Sequence, residues 1–173
     1  MAQHVKVACL LGDGFEDSEF RSPYDALKAA GHTVDVIGAE VGKVLKGKSG
    51  KEAVKVEKAI ADVRPEDYGL LFIPGGYSPD HIRGDARFTG FVKAYDALKR
   101  PVAAICHGPQ LMMSAGIVKQ GRTLTAWQTV QQDLKYTGAT VKDEAVVVDG
   151  NWVTSRKPDD LPRFNEATLQ ALR

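Results

Sequence analysis

Short apolar runs alternate along this chain with longer segments whose apolar residues recur every three or four positions. The runs are long enough for buried strands, and the segments between them have the spacing of amphipathic helices. Strands that alternate with helices predict an α/β fold, with a mostly parallel sheet and helices on both faces. The runs that predict strands are 5–11, 33–37, 70–73 and 101–105, and the main helical segments are 17–30, 85–98 and 107–115.

Three further segments complete this prediction. The polar stretch 44–57 predicts a hairpin or an excursion from the sheet. Near the C-terminus, runs at 145–148 and 152–154 flank a predicted hairpin turn, and a last helix is expected over 162–172. Pro23 lies inside the first helical segment and predicts a kink or a late helix start there.

Composition narrows the class of protein. A length of 173 residues fits one domain, 1–173, with a single core. A net charge of +1, with dispersed Lys and Arg, gives no reason to expect nucleic acid or an anionic membrane as a partner. No apolar stretch has membrane-spanning length and no secretory signal pattern is present, so we expect a cytoplasmic location. The two cysteines and four histidines show no metal-ligand spacing.

Ligands of parallel sheets bind beyond the carboxyl ends of the strands, and Cys106 lies at such an end. The apolar strand 101–105 stops abruptly and a helix follows, so Cys106 occupies a sharp elbow. The helix N-terminus favours a thiolate, which is the reactive form of cysteine. The alternative is a small core residue, and Cys9, in the middle of a strand, fits that description better.

Two further residues are candidate partners of the thiol. At an elbow the side chain of His107 can reach the same pocket as Cys106 and accept its proton, although a first-turn histidine facing water is the simpler alternative. Glu16 follows the first strand, where a carboxyl near the thiol would have a raised pKa and act as acid or base. Asp13, Asp17 and Glu19 compete for that role.

Gly75 and Gly76 follow the third apolar strand. Their backbone N–H groups are candidate donors to an oxyanion, and a plain Pro-Gly-Gly turn is the alternative.

Taken together, five segments resemble a known family. The sequence is similar to the PfpI branch of the ThiJ/PfpI superfamily, within the class I glutamine amidotransferase-like fold. The strongest signal is the Cys-His-Gly-Pro-Gln elbow, and the matching segments, in the order of the family, are 14–17, 73–76, 105–110, 146–152 and 155–161.

This resemblance implies a flavodoxin-like three-layer sandwich, a homodimer or dimer-based oligomer, and no metal or organic cofactor. It implies Cys106 as the nucleophile, Glu16 as its carboxyl partner and His107 as the adjacent base. In protease-like members, an acidic residue from a neighbouring subunit completes a triad. Asp80 stands at that position, one methylene shorter than the usual Glu.

Three functions follow from the resemblance. The first is a stress-related enzyme of glyoxalase or deglycase type, in which Cys106 adds to a small aldehyde or an early glycation adduct. The second is an intracellular cysteine peptidase, which needs an acid such as Asp80 to orient His107. The third is a redox-sensing stress or chaperone protein without turnover, in which an exposed thiol of low pKa is oxidised.

Overall fold

A seven-stranded sheet forms the centre of the computed structural model of the protein, which describes residues 3–173. Its order is β10-β11-β7-β6-β1-β2-β5, and every neighbouring pair is parallel except β10 and β11. The strands are β1 Lys6–Leu10, β2 Thr33–Gly38, β3 Val44–Lys46, β4 Ala53–Lys55, β5 Lys58–Ala59, β6 Leu70–Ile73, β7 Val102–Ile105, β8 Thr123–Leu124, β9 Thr140–Val141, β10 Val146–Asp149 and β11 Trp152–Ser155.

Within residues 3–173, six α-helices accompany the sheet. The predicted helix start at residue 17 is confirmed, and of the two alternatives predicted for Pro23 the late start is wrong, because the first helix begins at Asp17 and runs through the proline. Glu16 makes this early start possible, since its side chain accepts the N–H of Glu19 as an N-cap. The helices are α1 Asp17–Ala29, α2 Ser78–Ile82, α3 Ala86–Ala97, α4 Pro109–Ser114, α5 Gln128–Lys135 and α6 Leu161–Ala171.

The helices cover both faces of the sheet, because successive residues of a strand point to opposite sides. On one face, Val7 and Cys9 of β1 belong to a buried cluster with side chains of α1 and α6. On the other, Ala8 and Leu10 belong to a cluster with side chains of α3, α4 and α5. The predicted flavodoxin-like sandwich is therefore confirmed, and Cys9 is a fully buried core residue.

The loops after β1 and β6 are joined above the sheet. Phe15 and Gly76 form an isolated antiparallel bridge, the N–H of Glu16 donates to the carbonyl of Gly75 at 3.1 Å, and that of Tyr77 donates to Gly14 at 2.8 Å. Since β6 also pairs with β7, three adjacent strands deliver their carboxyl ends to one place. These ends carry the start of α1, the Gly75–Gly76 turn and Cys106.

The predicted hairpin in 44–57 is confirmed as β3 and β4, which pair in antiparallel register outside the main sheet. The hairpin at the C-terminal edge is confirmed as well, by the pairing of β10 with β11. Across residues 3–173, no helix combines the length and the apolar character needed to cross a membrane.

Candidate active site

Cys106 is held in a left-handed backbone conformation, with φ of +63°. This conformation is strained for a residue with a Cβ atom. It persists because both sides of the peptide are held: the N–H of Cys106 donates to Ser155 at 2.9 Å, and its carbonyl accepts from the N–H of Trp127 at 2.9 Å. The elbow inferred from the sequence is thus present, and its side chain stands above the ends of the strands.

The sequence predicted surroundings that favour a thiolate at Cys106, but the structure shows a different environment. It is buried, with 7% of the residue exposed, and its pKa is raised rather than lowered. Burial is the main cause, and the nearby carboxyl of Glu19 adds to it. The backbone N–H groups of His107 and Gly76 oppose this shift by donating to the sulfur. In its resting form Cys106 is therefore a protonated thiol, and the two backbone N–H groups beside it would stabilise the thiolate.

The carboxyl next to the thiol belongs to Glu19, a fully buried residue in the first turn of α1. Burial, with a smaller contribution from the charge of Glu16, raises the pKa of Glu19 to about 8, so the group is protonated at neutral pH. One oxygen, Oε1, accepts the N–H of Gly75 at 3.0 Å. The other, Oε2, is buried and has no hydrogen-bond partner within residues 3–173.

Glu16, the carboxyl expected beside the thiol, lies elsewhere. Its side chain turns toward its own helix, where it accepts the N–H of Glu19 at 3.0 Å and the hydroxyl of Ser18. The reason is local geometry: Glu16 precedes the first helical turn and satisfies a free N–H there, whereas Glu19 is on the buried face of α1 with Pro23.

Gly75 and Gly76 have different roles in the site. The N–H of Gly75 is occupied by Glu19, so it is not free for an oxyanion as the sequence suggested. A Cβ at Gly75 would lie 2.5 Å from Oε1 of Glu19 and 2.9 Å from Cβ of Cys106, so only glycine permits this close approach. Gly76, with φ of +76°, directs its N–H to the thiol. The donors around the sulfur are therefore those of Gly76 and His107.

His107 is adjacent to the thiol in space as well as in sequence, with Nδ1 3.3 Å from the sulfur of Cys106. Its ring stacks on Trp127 at a centroid distance of 6.4 Å, so it does not simply face water. Burial is the main cause that lowers the pKa of His107; the charge of Lys48 acts the same way, and that of Asp80 opposes it. The imidazole is neutral at pH 7 and able to accept the thiol proton.

Asp80 lies on α2 and is exposed. Within residues 3–173 no carboxylate is hydrogen-bonded to His107, so the structure of one chain does not join Asp80 to the histidine. Its role toward a neighbouring subunit stays a prediction. The described residues also contain no group of three or more His, Cys, Asp or Glu placed to hold a metal ion.

A surface cleft of about 470 Å³, lined by residues such as Pro101 and Gly150, lies at the opposite end of β7 from Cys106. We place the candidate site at Cys106, because ligands of parallel sheets bind at the carboxyl ends and the reactive groups gather there.

Comparison with known proteins agrees with the fold. The model of the DJ-1/PfpI family matches residues 5–171. The chain belongs to the DJ-1/PfpI family. Among solved structures, a two-domain protein from Anabaena variabilis with DJ-1/ThiJ/PfpI-like and ferritin-like domains superposes with a TM-score of 0.94 and 36% identity. That match covers 96% of this chain and 48% of the other.

Relatives within the family carry different functional names. "Protein/nucleic acid deglycase 2" of Escherichia coli is 48% identical over 96% of this chain and 97% of its own. Two Bacillus subtilis proteins are each 47% identical: one provisionally named a cysteine protease, over 97% of this chain and 98% of its own, and "General stress protein 18", over 96% and 97%. The family is thus settled, while these names point to more than one reaction.

Two residues near the site, Glu19 and Lys48, were not singled out by the sequence. Glu19 had a signal, since it stands on the buried stripe of α1, four residues before Pro23 and eight before Leu27. Lys48 had none, because it lies in a polar segment without periodicity and reaches the site only when the β3–β4 hairpin folds over it.

Proposed function

We propose that this protein is a stress-related, cysteine-dependent enzyme that acts on reactive aldehydes or early glycation adducts. One observation carries the proposal: a neutral imidazole lies 3.3 Å from the Cys106 thiol, and a buried carboxyl with a pKa of about 8 flanks the same sulfur. A base for the thiol and an acid for a carbonyl oxygen are what addition of sulfur to an aldehyde requires.

The first step is addition, here written for methylglyoxal. The sulfur of Cys106 forms a bond to the aldehyde carbon while its proton passes to Nδ1 of His107. The carbonyl oxygen takes a proton from Glu19, giving a hemithioacetal. The raised thiol pKa fits this order of events, because the proton leaves during attack rather than beforehand.

The second step moves a proton between carbons. The Glu19 carboxylate removes the hydrogen from the former aldehyde carbon to give an enediol, and returns a proton to the neighbouring carbon. This produces a thioester of lactate on Cys106. The proton that His107 took from the thiol in the first step passes to the Glu19 carboxylate, so both groups regain their starting protonation. Water then cleaves the thioester: His107 takes a proton from the water and gives it to the leaving sulfur, which releases lactic acid and the thiol. One methylglyoxal and one water thus become one lactic acid. A glycation adduct enters the same path when the Cys106 sulfur displaces the amine or thiol to which the aldehyde carbon is bound.

The proposal also includes a cytoplasmic location and a homodimer or dimer-based oligomer. Its substrates are small carbonyl compounds and adducts. The name of the Escherichia coli relative includes nucleic acid, but a net charge of +1 gives no electrostatic basis for extending that to this chain.

The test is conversion of methylglyoxal to lactate by the purified protein. We expect turnover in the wild type and in Cys9→Ala, which changes a core cysteine far from the chemistry, and none in Cys106→Ser. The absence of lactate from the wild type, or equal lactate from Cys106→Ser, would refute the proposal.

A peptidase is the second candidate, favoured by the provisional name of one Bacillus subtilis relative. It requires an acid on His107, and a single chain supplies no hydrogen-bonded one within residues 3–173. Cleavage of unstructured casein that is lost in both Cys106→Ser and Asp80→Ala would establish this function instead.

A further inference from the structure

The β3–β4 hairpin is bound to the segment that leads into the active-site helix. The N–H of Lys46 donates to the carboxylate of Asp13 at 3.1 Å, and its carbonyl accepts from the N–H of Gly14 at 2.8 Å. One residue beyond Gly47, the N–H of Lys48 donates to the carbonyl of Phe15 at 2.8 Å. The hairpin tip therefore lies beside the turn that pairs with Gly75 and Gly76.

A buried carboxylate secures the loop at this tip. Asp17, only 4% exposed, accepts the backbone N–H groups of Ser49 at 2.8 Å, Lys51 at 3.0 Å and Glu52 at 2.8 Å. Gly47 packs so closely on this carboxylate that an added Cβ would overlap its oxygens. Because hydrogen bonds to a buried charged group are strong, the backbone of Lys48 is held in one place relative to α1.

The Lys48 side chain extends from this loop toward the catalytic groups. Its Nζ lies 5.9 Å from the centre of the Tyr77 ring, and Tyr77 directly follows Gly76. The positive charge also lowers the pKa values of both Glu19 and His107. Among the described residues, no carboxylate lies within 4 Å of this ammonium group, although several other lysines have such a partner.

The carboxylates of Glu16 and Asp80 also act on Glu19 and His107, but a cation with no carboxylate within 4 Å attracts anionic ligands. At pH 7, Glu19 is protonated and His107 is neutral, so the charge of Lys48 is not cancelled by either. We propose that Lys48, positioned beside Tyr77, binds the carboxylate of the substrate, so that the enzyme prefers adducts of aldehydes with free amino acids or other small carboxylates over neutral adducts. This inference rests on the proposed function and names its substrate class.

Matched adducts that differ in one charge provide the test. Methylglyoxal forms hemithioacetals with N-acetylcysteine, which bears a carboxylate, and with N-acetylcysteine amide, which is neutral. Each is consumed with one water to give lactate and the free thiol. The measurement is kcat/KM for lactate formation at equal concentrations of hemithioacetal and of free methylglyoxal.

Lys48 is exposed, so we expect the wild type to prefer the anionic adduct roughly two- to fivefold, which is the range for one solvent-exposed ion pair. The preference should fall toward one in Lys48→Gln and below one in Lys48→Glu. It should also decrease with added salt. Lys51→Gln is the matched control: this lysine is exposed on the same loop, and the variant should keep the wild-type preference.

The outcomes separate the two proposals. Lactate production with the same ratio in wild type, Lys48→Gln and Lys48→Glu would overturn this inference and leave the proposed function intact. A loss of preference in Lys51→Gln equal to that in Lys48→Gln would also overturn it, because the effect would then belong to the loop as a whole. No lactate from any substrate would overturn both.

Discussion

Glu19 and Cys106 form a buried pair in which a charge on one opposes a charge on the other. Burial contributes most to both raised pKa values, and the Glu19 charge also raises that of the thiol. At neutral pH the pair therefore keeps its protons until a substrate arrives. A carboxyl that stays protonated up to about pH 8 is suited to donate to a carbonyl oxygen, which an ordinary glutamate at that pH cannot do.

Replacing Glu19 by Gln tests this assignment at the scale of one residue. Gln keeps an oxygen for the N–H of Gly75 but cannot transfer a proton, so we expect kcat for methylglyoxal to fall by about 10²- to 10⁴-fold. The wild-type pH profile should rise as His107 loses its proton, below the ordinary histidine value, and decline near pH 8 as Glu19 ionises. The residual activity of the variant should lack the alkaline decline.

Glu16→Gln is the control for that experiment. Because the Glu16 charge raises the pKa of Glu19, its removal should move the alkaline decline to lower pH while most activity at pH 6 remains. A loss in Glu16→Gln as large as that in Glu19→Gln, with an unshifted decline in the remaining activity, would mean that Glu16 is the acid after all.

How far the site could be predicted from the sequence depended on the residue. Cys106 and His107 could be predicted, because an elbow between a strand and a helix is a local sequence pattern. The choice of Glu16 over Glu19 failed because it required knowing which of two nearby carboxyls caps the helix and which faces the sheet. The raised thiol pKa could not be predicted either, since burial beneath the Gly75–Gly76 turn depends on contacts between distant segments.

At the scale of elements, the site depends on how closely the turn after β6 approaches the elbow after β7. Gly75 lies between the Glu19 carboxyl and the Cβ atom of Cys106, and the space there fits the hydrogen of glycine but not a methyl group. The strands themselves were predictable, because 70–73 and 102–105 are uninterrupted apolar runs whose pattern has one interpretation. The packing of their connecting turns was not, because it arises from the β7-β6-β1 order, which the sequence does not state.

Gly75→Ala should therefore separate the acid from the thiol. The new methyl would lie 2.5 Å from Oε1 of Glu19 and 2.9 Å from Cβ of Cys106, so one of them must move. We expect kcat/KM for methylglyoxal to drop by about 10²-fold, as a displacement of 1 Å can cause. Gly90→Ala in α3 is the control, since its Cβ meets nothing within 4 Å; it should retain full activity, and wild-type activity in Gly75→Ala would contradict this description.

On the scale of the whole molecule, the buried carboxyl of Glu19 makes stability depend on pH. The folded-state pKa of Glu19 is about 8, against an ordinary value of 4.5. Between these values the folded protein holds a proton that the unfolded chain has lost, so the free energy of unfolding falls as pH rises. Asp17 acts in the opposite sense: although its burial opposes ionisation, the backbone donors of the hairpin loop lower its pKa, so its stabilisation is lost only in acid.

His32 also makes the protein less stable in acid, because burial, followed by the charge of His4, lowers its pKa, and its neutral ring accepts the N–H of Val5 at 3.1 Å. The stability that this histidine provides is present above pH 6.5 and decreases as pH falls below that value. Both His32 and Asp17 remain in a variant that lacks the Glu19 carboxyl, so their contributions cancel in a comparison with wild type.

That comparison is the prediction for the whole molecule. Glu19→Gln cannot ionise, so its stability relative to wild type should increase by about 2 to 4 kcal/mol between pH 5 and pH 8, at roughly 1.4 kcal/mol for each pH unit. Urea unfolding at the two pH values, under reducing conditions and with equal m-values, measures this difference. Glu16→Gln should show a much smaller change, because it only shifts the pKa of Glu19. An equal difference between Glu19→Gln and wild type at both pH values would show that Glu19 ionises as an ordinary carboxyl. The same result would remove the physical basis for its role as the acid beside Cys106.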